Sequence, residues 1–324
     1  MDYSFANSSI TSFKNEKEEF SRLSSAWGTF ENCKKLSKVE FGSAPVLTYI
    51  DSLVKNCRNL THFSGNFPKV TGYTTSPFTG CLRLKTVKLD VPLLTEAPAM
   101  FRDMPELESV EGTFTGVRNA RNMFRNCPKL KVFPEVRYAE DGLGMYQDTL
   151  IDDIPFMPNL TNGRQTFQNC QNIKGSVNLE QFSHLENGIN MFNNCDGITS
   201  VSLYLPNASD IRNMFALCEN ITRVYSVVLA EGVSATSVLM HSKVDFNSFR
   251  NVYNGIKDKN PKADVNGCVC HVGVTRDTLV AIREQYGELK DADDNPLFYH
   301  WEGNQYALRL NTTTNNFVMA VVNA

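Results

Sequence analysis

The run Met123-Phe124-Arg125-Asn126-Cys127-Pro128-Lys129-Leu130-Lys131-Val132-Phe133 decides the fold, because the chain repeats its skeleton. An aromatic residue is followed three positions on by Cys, three further by an aliphatic residue, and three beyond that by another apolar one. The same order returns as Phe30, Cys33, Leu36, Val39; as Phe78, Cys81, Leu84, Val87; as Phe192, Cys195, Ile198, Val201; and as Phe215, Cys218, Ile221, Val224. Copies led by Val54 and Phe167 fit with one substitution each, the copy led by Phe101 carries Met104 in the Cys column, and a degenerate copy led by Tyr146 carries Thr149 there. The leads at 30, 54, 78, 101, 124, 146, 167, 192 and 215 are 24, 24, 23, 23, 22, 21, 25 and 23 residues apart. A period in the twenties marks a solenoid of stacked turns.

In such an array, length counts rungs rather than domains, because each repeat needs only its neighbours. Across the 324 residues, Lys and Arg number 32 against 35 Asp and Glu. That balance argues against a nucleic-acid partner, which normally calls for a basic stripe. No apolar run approaches the roughly 18 residues of a spanning helix, which argues against membrane insertion. The start, Met1-Asp2-Tyr3-Ser4-Phe5, has neither the basic segment nor the apolar core of an export signal. Ile10 and Phe13 imitate the end of a rung before the charged run Glu16 to Glu19, so residues 1–29 read as a cap or partial repeat.

Seven of the nine cysteines (33, 57, 81, 127, 170, 195 and 218) share one column. A secreted disulfide scaffold would space its cysteines irregularly in a short chain. Recurrence once per turn instead suits a small buried hydrophobe, and replacement by Met104 and Thr149 favours packing over bonding. Reduced core residues are expected, not a metal or redox column.

Between Cys81 and Phe101, the residues Leu84, Val87 and Leu89 can point inward from a short strand while Thr86, Lys88 and Asp90 face water. Pro92 ends the ladder for want of a donor, and Leu93 to Met100 carry the chain back in a short helical or irregular leg. The strand legs are expected to stack into one parallel sheet, with each lead aromatic entering a continuous core. A single rung buries too little apolar surface to offset its ordering entropy, so stability must come from stacking. The fold class is therefore an α/β solenoid of about nine repeats over residues 30–243, with a small α/β cap over 244–324. Irregular spacing between Val136 and Phe156 implies a local distortion.

The run Asn207-Ala208-Ser209-Asp210-Ile211-Arg212-Asn213-Met214-Phe215-Ala216-Leu217-Cys218 resembles the repeat of the BspA-type leucine-rich surface proteins, over about residues 30 to 230. That superfamily spans bacterial adhesins, protist surface proteins and phage tail proteins. Beyond Val224 the rhythm fades: Val238, Leu239, Val244 and Phe246 read as a decayed rung, Phe249 to Ile256 as a short helix, 266–274 as a strand, 275–286 as a helix and Phe298 to Trp301 as a strand. This tail, with Cys270-His271-Val272-Gly273-Val274 and Trp301-Glu302-Gly303, resembles the closing segment of repeat proteins of phage and prophage tails.

Candidate chemistry is sparse. In Cys268-Val269-Cys270-His271, a strand would put both Cys on one face and His271 on the other, so the three do not converge on one ion. Asp291, Asp293, Asn295 and Glu302 occupy positions 1, 3, 5 and 12 of a calcium-loop pattern. Pro296 stands where that pattern needs Gly, so a plain turn explains the same residues. None of the five histidines falls in a nucleophile-elbow, zincin or phosphate-loop motif. No catalytic residue, metal or cofactor is assigned. An enzyme with a site at Cys270, His271 and the acidic loop stands as the third-ranked alternative.

The remaining surface is the outward face of the strands: Lys38, Glu40, His62, Thr86, Lys88, Ser109, Glu111, Ser200, Ser202, Arg223 and Tyr225. Solenoids use such faces for extended recognition. The expectation is a non-enzymatic recognition or structural module on a phage tail or fibre serving host attachment, with a host-surface protein or glycan and other virion or surface proteins as partners. A bacterial cell-surface adhesin is the alternative.

Overall fold

The computed structural model describes residues 1–15, 20–74, 77–242, 244 and 246–260, together with strands at 297–301, 304–311 and 316–321. The chain divides into two compact units, residues 1–162 with 166–172 and residues 163–165 with 173–324.

The first unit is a parallel-strand solenoid. Strands β1 (Ser12–Lys14), β2 (Lys38–Ser43), β3 (His62–Asn66), β5 (Thr86–Asp90) and β7 (Ser109–Glu111) form a five-stranded sheet in the order β1-β2-β3-β5-β7. Between them lie β4 (Gly72–Tyr73) and β6 (Leu94–Glu96), which pair with each other on a second ladder. The first sheet's register aligns the repeat: Phe13, Val39, Phe63, Val87 and Val110 are successive partners. Val39, Phe63, Val87 and Val110 are buried with the leads Phe30, Val54, Phe78, Phe101, Phe124, Tyr146 and Phe167. The lead rings stack along the core: Phe78 on Phe101 at 5.2 Å, Phe101 on Phe124 at 5.6 Å, Phe124 on Tyr146 at 5.6 Å and Tyr146 on Phe167 at 5.5 Å. Phe5 stacks on Phe30 at 5.4 Å, so residues 1–14 form a further turn led by Phe5.

Each rung's return leg is a run of turns rather than a helix. Alternate residues of the leg donate their N–H groups to the next rung: Ala99 to Arg121, Phe101 to Met123 and Asp103 to Arg125, at 2.8–3.0 Å. Intervening residues close turns within their own rung, as Met100 does to Ala97. This pattern needs left-handed backbone two residues before and two after the lead. Positive φ accordingly recurs at Ser52 and Asn56, Ala99 and Asp103, and Asn122 and Asn126. Asn and Asp are the side-chain-bearing residues that tolerate this region best. They line the second column and form ladders, Asn56 donating to Asn32 at 3.0 Å, Asn126 to Asp103 at 2.9 Å and Asn169 to Asp148 at 2.6 Å. Gly80 occupies the same column at φ +79°, and a Cβ there would lie 2.4 Å from Asn56 Oδ1.

The expectation of one continuous sheet fails after β7. Val132 makes only an isolated bridge to Ser109, and no further strand forms in this unit among the described residues. Pro134, Pro155 and Pro158 fall where the missing strands would run, each removing a ladder donor. Phe133, at the strand position of its rung, is half-buried instead of sealed, and meets Phe124 and Tyr146 edge-on at 5.6 and 5.2 Å. The distortion expected between Val136 and Phe156 is thus a loss of strand legs, while the stacked turns continue.

In the second unit, β8 (Gly175–Asn178), β9 (Ile198–Leu205) and β10 (Arg223–Leu229) form a parallel sheet in the order β10-β9-β8. A single 3₁₀ turn covers Glu180–Phe182. Phe192 and Phe215 stack at 5.2 Å. Leu239 leads a further turn, with Phe215 donating to Val238 and with Ser242 in the Cys column donating to Leu239. Helix α1 (Phe246–Lys259) then packs beside β10, burying Val252 and Ile256. Buried Ser248 accepts the Val224 N–H at 2.8 Å, giving a partner to an edge-strand donor. The helix is longer at both ends than the 249–256 read from the sequence. Strands β11 (Leu297–Trp301), β12 (Asn304–Asn311) and β13 (Asn316–Val321) form an antiparallel sheet, of which the sequence pattern showed only the first. The expected strand at 266–274 and helix at 275–286 lie outside the described residues.

Candidate functional site: the outward sheet face

The first unit's register sorts its outward residues into two rows. Ser12, Lys38, His62, Thr86 and Ser109 are successive partners in one, and Lys14, Glu40, Ser64, Lys88 and Glu111 in the other. Strand alternation turns these residues away from the inward Phe13–Val110 row between them. Lys38, Lys88 and Glu111 are exposed, while Glu40, His62, Thr86 and Ser109 are half-buried by their neighbours. Polar contacts fix the surface. His62 Nδ1 lies 2.7 Å from Thr86 Oγ1, Lys38 Nζ donates to Glu40 at 2.8 Å, and Ser109 Oγ donates to Glu111 at 3.2 Å. The hydrogen bond from Lys38 holds the Glu40 carboxyl below its ordinary range. Burial, then the Lys38 charge, lowers His62, which keeps the imidazole neutral at physiological pH. The face is therefore a mosaic of both charges, held in part by these contacts.

In the second unit, Ser176, Ser200 and Arg223 share a row, and Ser202 pairs with Asn178. Arg223 is exposed, Tyr225 is 61% exposed and Ser202 is half-buried. Ser200 corrects the sequence reading: it is only 7% exposed, because its short side chain sits on the central strand between two flanking neighbours. A register shift between Val224 and Val227 bulges Tyr225 out of the ladder, which accounts for its exposure.

The Cys column does no surface chemistry. All seven of its cysteines are buried, and none is in a disulfide. Their thiols donate to the backbone of the preceding rung, Cys57 to Phe30, Cys81 to Val54, Cys127 to Phe101, Cys170 to Tyr146 and Cys218 to Phe192, at 2.9–3.0 Å. Burial pushes Cys57, Cys127, Cys170 and Cys218 up to about 12, so they stay neutral thiols. At these five turns the thiol donates to a lead carbonyl inside the core, a bond that a plain hydrophobe could not make. Among the described residues, no group of His, Cys, Asp and Glu converges in a way that could hold a metal ion. Cys268, Cys270, His271 and the Asp291–Glu302 loop ligands lie outside the described residues.

Sequence reasoning missed the Asn ladder and an aromatic strip, Tyr3, Trp27 and Tyr49, whose rings neighbour one another at 5.5 and 6.1 Å. Asn recurring two residues after the lead was a legible signal; the strip was not, because its members occupy different repeat positions.

Stacked parallel strands, turn-built return legs and one buried apolar lead residue per rung define a leucine-rich-repeat solenoid. The chain belongs to the BspA type leucine rich repeat region family, whose profile matches six copies over residues 1–131 and 144–240. The match breaks over 132–143, which includes the first of the lost strand legs, at Pro134. Among solved structures, the chain is similar to a leucine-rich repeat protein from Bacteroides ovatus ATCC 8483, with 17% identity and a TM-score of 0.47. That alignment covers 72% of this chain and 65% of the other, a little under two thirds of it. No curated protein matches. Among the described residues, no helix is long and apolar enough to cross a membrane.

Proposed function

We propose that the protein is a non-enzymatic recognition module acting at a cell surface, with the outward sheet face of its first unit as the contact surface. The observation that carries this reading is the register of the two outward rows, which sets polar and charged side chains about 4.8 Å apart from strand to strand on a backbone fixed by the core. A mosaic of Lys38, Glu40, Lys88 and Glu111 favours a partner of complementary charge pattern, since electrostatic complementarity sets specificity more than raw affinity. Membership of a repeat family rich in surface proteins favours a bacterial cell-surface adhesin. Attachment from a phage tail, to which the tail segment's resemblance pointed, is a second reading that uses the same face.

The test uses fluorescently labelled full chain against bacterial cells and against animal epithelial cells. Saturable retention on epithelial cells supports the adhesin, and retention on bacterial cells alone supports the phage reading. A double variant, Lys38→Glu with Lys88→Glu, is expected to lose binding in either case. Retention on neither surface, or unchanged binding by the double variant, overturns the assignment of this face.

A further inference from the structure

The first unit carries an exposed aromatic strip away from the sheet face. Tyr3, Trp27 and Tyr49, one from each of three successive rungs, are 47%, 44% and 39% exposed. Tyr3 and Trp27 lie 5.5 Å apart with planes tilted by 49°, and Trp27 meets Tyr49 edge-on at 6.1 Å. Large apolar side chains gathered at a surface mark interaction sites, whereas single ones need no explanation.

The solenoid does not require these rings. Tyr49 stands on the second ladder, paired with Ser25. Further along that ladder, the equivalent positions hold Glu96, Asn119, Asp141 and Asn162, which hydrogen-bond to one another, Asn119 to Glu96 at 2.7 Å and Asn162 to Asp141 at 3.0 Å. At the Tyr49 position stacking is thus satisfied by polar side chains in later rungs, so the solenoid does not need a ring there. The placement of the aromatics is built. Gly28, at φ +56°, leaves the Tyr3 ring so close that a Cβ would fall 2.4 Å from it, so the glycine makes room for the ring beside Trp27.

Oriented carboxylates flank the strip. Asp2 Oδ1 accepts the Trp27 N–H at 3.0 Å and the Ser25 hydroxyl, which leaves its second oxygen available. Burial first, then the hydrogen-bonded Asp51 carboxylate, raise the Tyr49 phenol, so it remains a neutral donor.

We propose that Tyr3, Trp27 and Tyr49, with Asp2 and Asp51, form a binding strip for a neutral polysaccharide. The axial C–H face of a pyranose packs on an aromatic ring, and its hydroxyls donate to fixed carboxylates. One ring per rung suits an extended chain of sugars. Two carboxylates at the edge repel uronic or sulfated glycans. An organic ammonium would also be drawn to carboxylates beside aromatic faces, but the tilted and edge-on rings fill one another's flanks in an open row instead of enclosing a cation.

Affinity gel electrophoresis of the full chain tests this, with hydroxyethylcellulose, mixed-linkage β-glucan, galactomannan or yeast mannan in the gel and polygalacturonate as the acidic comparison. Retardation by at least one neutral polysaccharide is expected. Trp27→Ala should weaken it by roughly tenfold or more, as loss of a hot-spot aromatic does, and Tyr49→Ala should weaken it measurably. Both variants should melt with the wild type by circular dichroism because the rings are exposed; if one does not, the other decides. Lys38→Glu with Lys88→Glu should bind the polysaccharide unchanged, which separates this strip from the sheet face. No retardation by any neutral polysaccharide, retardation by polygalacturonate alone, equal binding by both aromatic variants, or release by millimolar tetramethylammonium would each overturn the proposal.

Discussion

Asn126 offers a way to test the left-handed turn column by the sign of a difference. It sits at φ 59° and donates through Nδ2 to Asp103 Oδ1 at 2.9 Å. Replacement by Ala or by Gly removes that ladder bond equally, at about 0.5–1 kcal/mol for a hydrogen bond near solvent. Ala must also hold a Cβ in the left-handed region, which costs about 1–2 kcal/mol and which Asn partly escapes. Gly has no such cost but surrenders roughly 0.5–1 kcal/mol of unfolded-state entropy. With the lost ladder bond included, Asn126→Ala is therefore expected to lose about 1.5–3 kcal/mol and Asn126→Gly about 1–2. Ordinary backbone would give the reverse order. Urea unfolding followed by far-ultraviolet circular dichroism measures both, with the comparison valid where the slope is unchanged. A Gly variant as unstable as the Ala variant, or more so, refutes the account of why Asn fills this column.

Tyr146 is fully buried in the lead stack, and its hydroxyl finds no hydrogen-bond partner among the described residues. An unsatisfied buried hydroxyl costs about 1–3 kcal/mol, so Tyr146→Phe is expected to leave stability equal or higher; a loss above about 1 kcal/mol would mean the hydroxyl is paired after all. The buried thiols should resist iodoacetamide at pH 8, because burial holds Cys57, Cys127, Cys170 and Cys218 as neutral thiols up to about 12. In urea the same peptides should alkylate fully by mass spectrometry, and native labelling of any of the four would contradict the packing.

Much of the fold was legible because its signal is periodic. Phe124, Cys127 and Leu130 repeat with the rung, and each stands buried in its layer. Phe133 obeys the same spacing yet is only half-buried, since the proline after it leaves its rung without a strand to hold it. Among the outward residues, Lys38, Lys88 and Glu111 follow from strand alternation alone, but Ser200 does not. Its exposure depends on the neighbours to either side, which alternation along one strand cannot express.

The sequence by itself determined the repeat, its core columns and the inert role of the cysteines, because each depends on residues a fixed distance apart along the chain. Only the tertiary structure decided where the sheet breaks, that return legs are ladders of left-handed turns, and that Tyr3, Trp27 and Tyr49 meet. Those features depend on contacts between rungs some two dozen residues apart. The ring contacts of Tyr3, Trp27 and Tyr49 moreover join positions with no common place in the repeat.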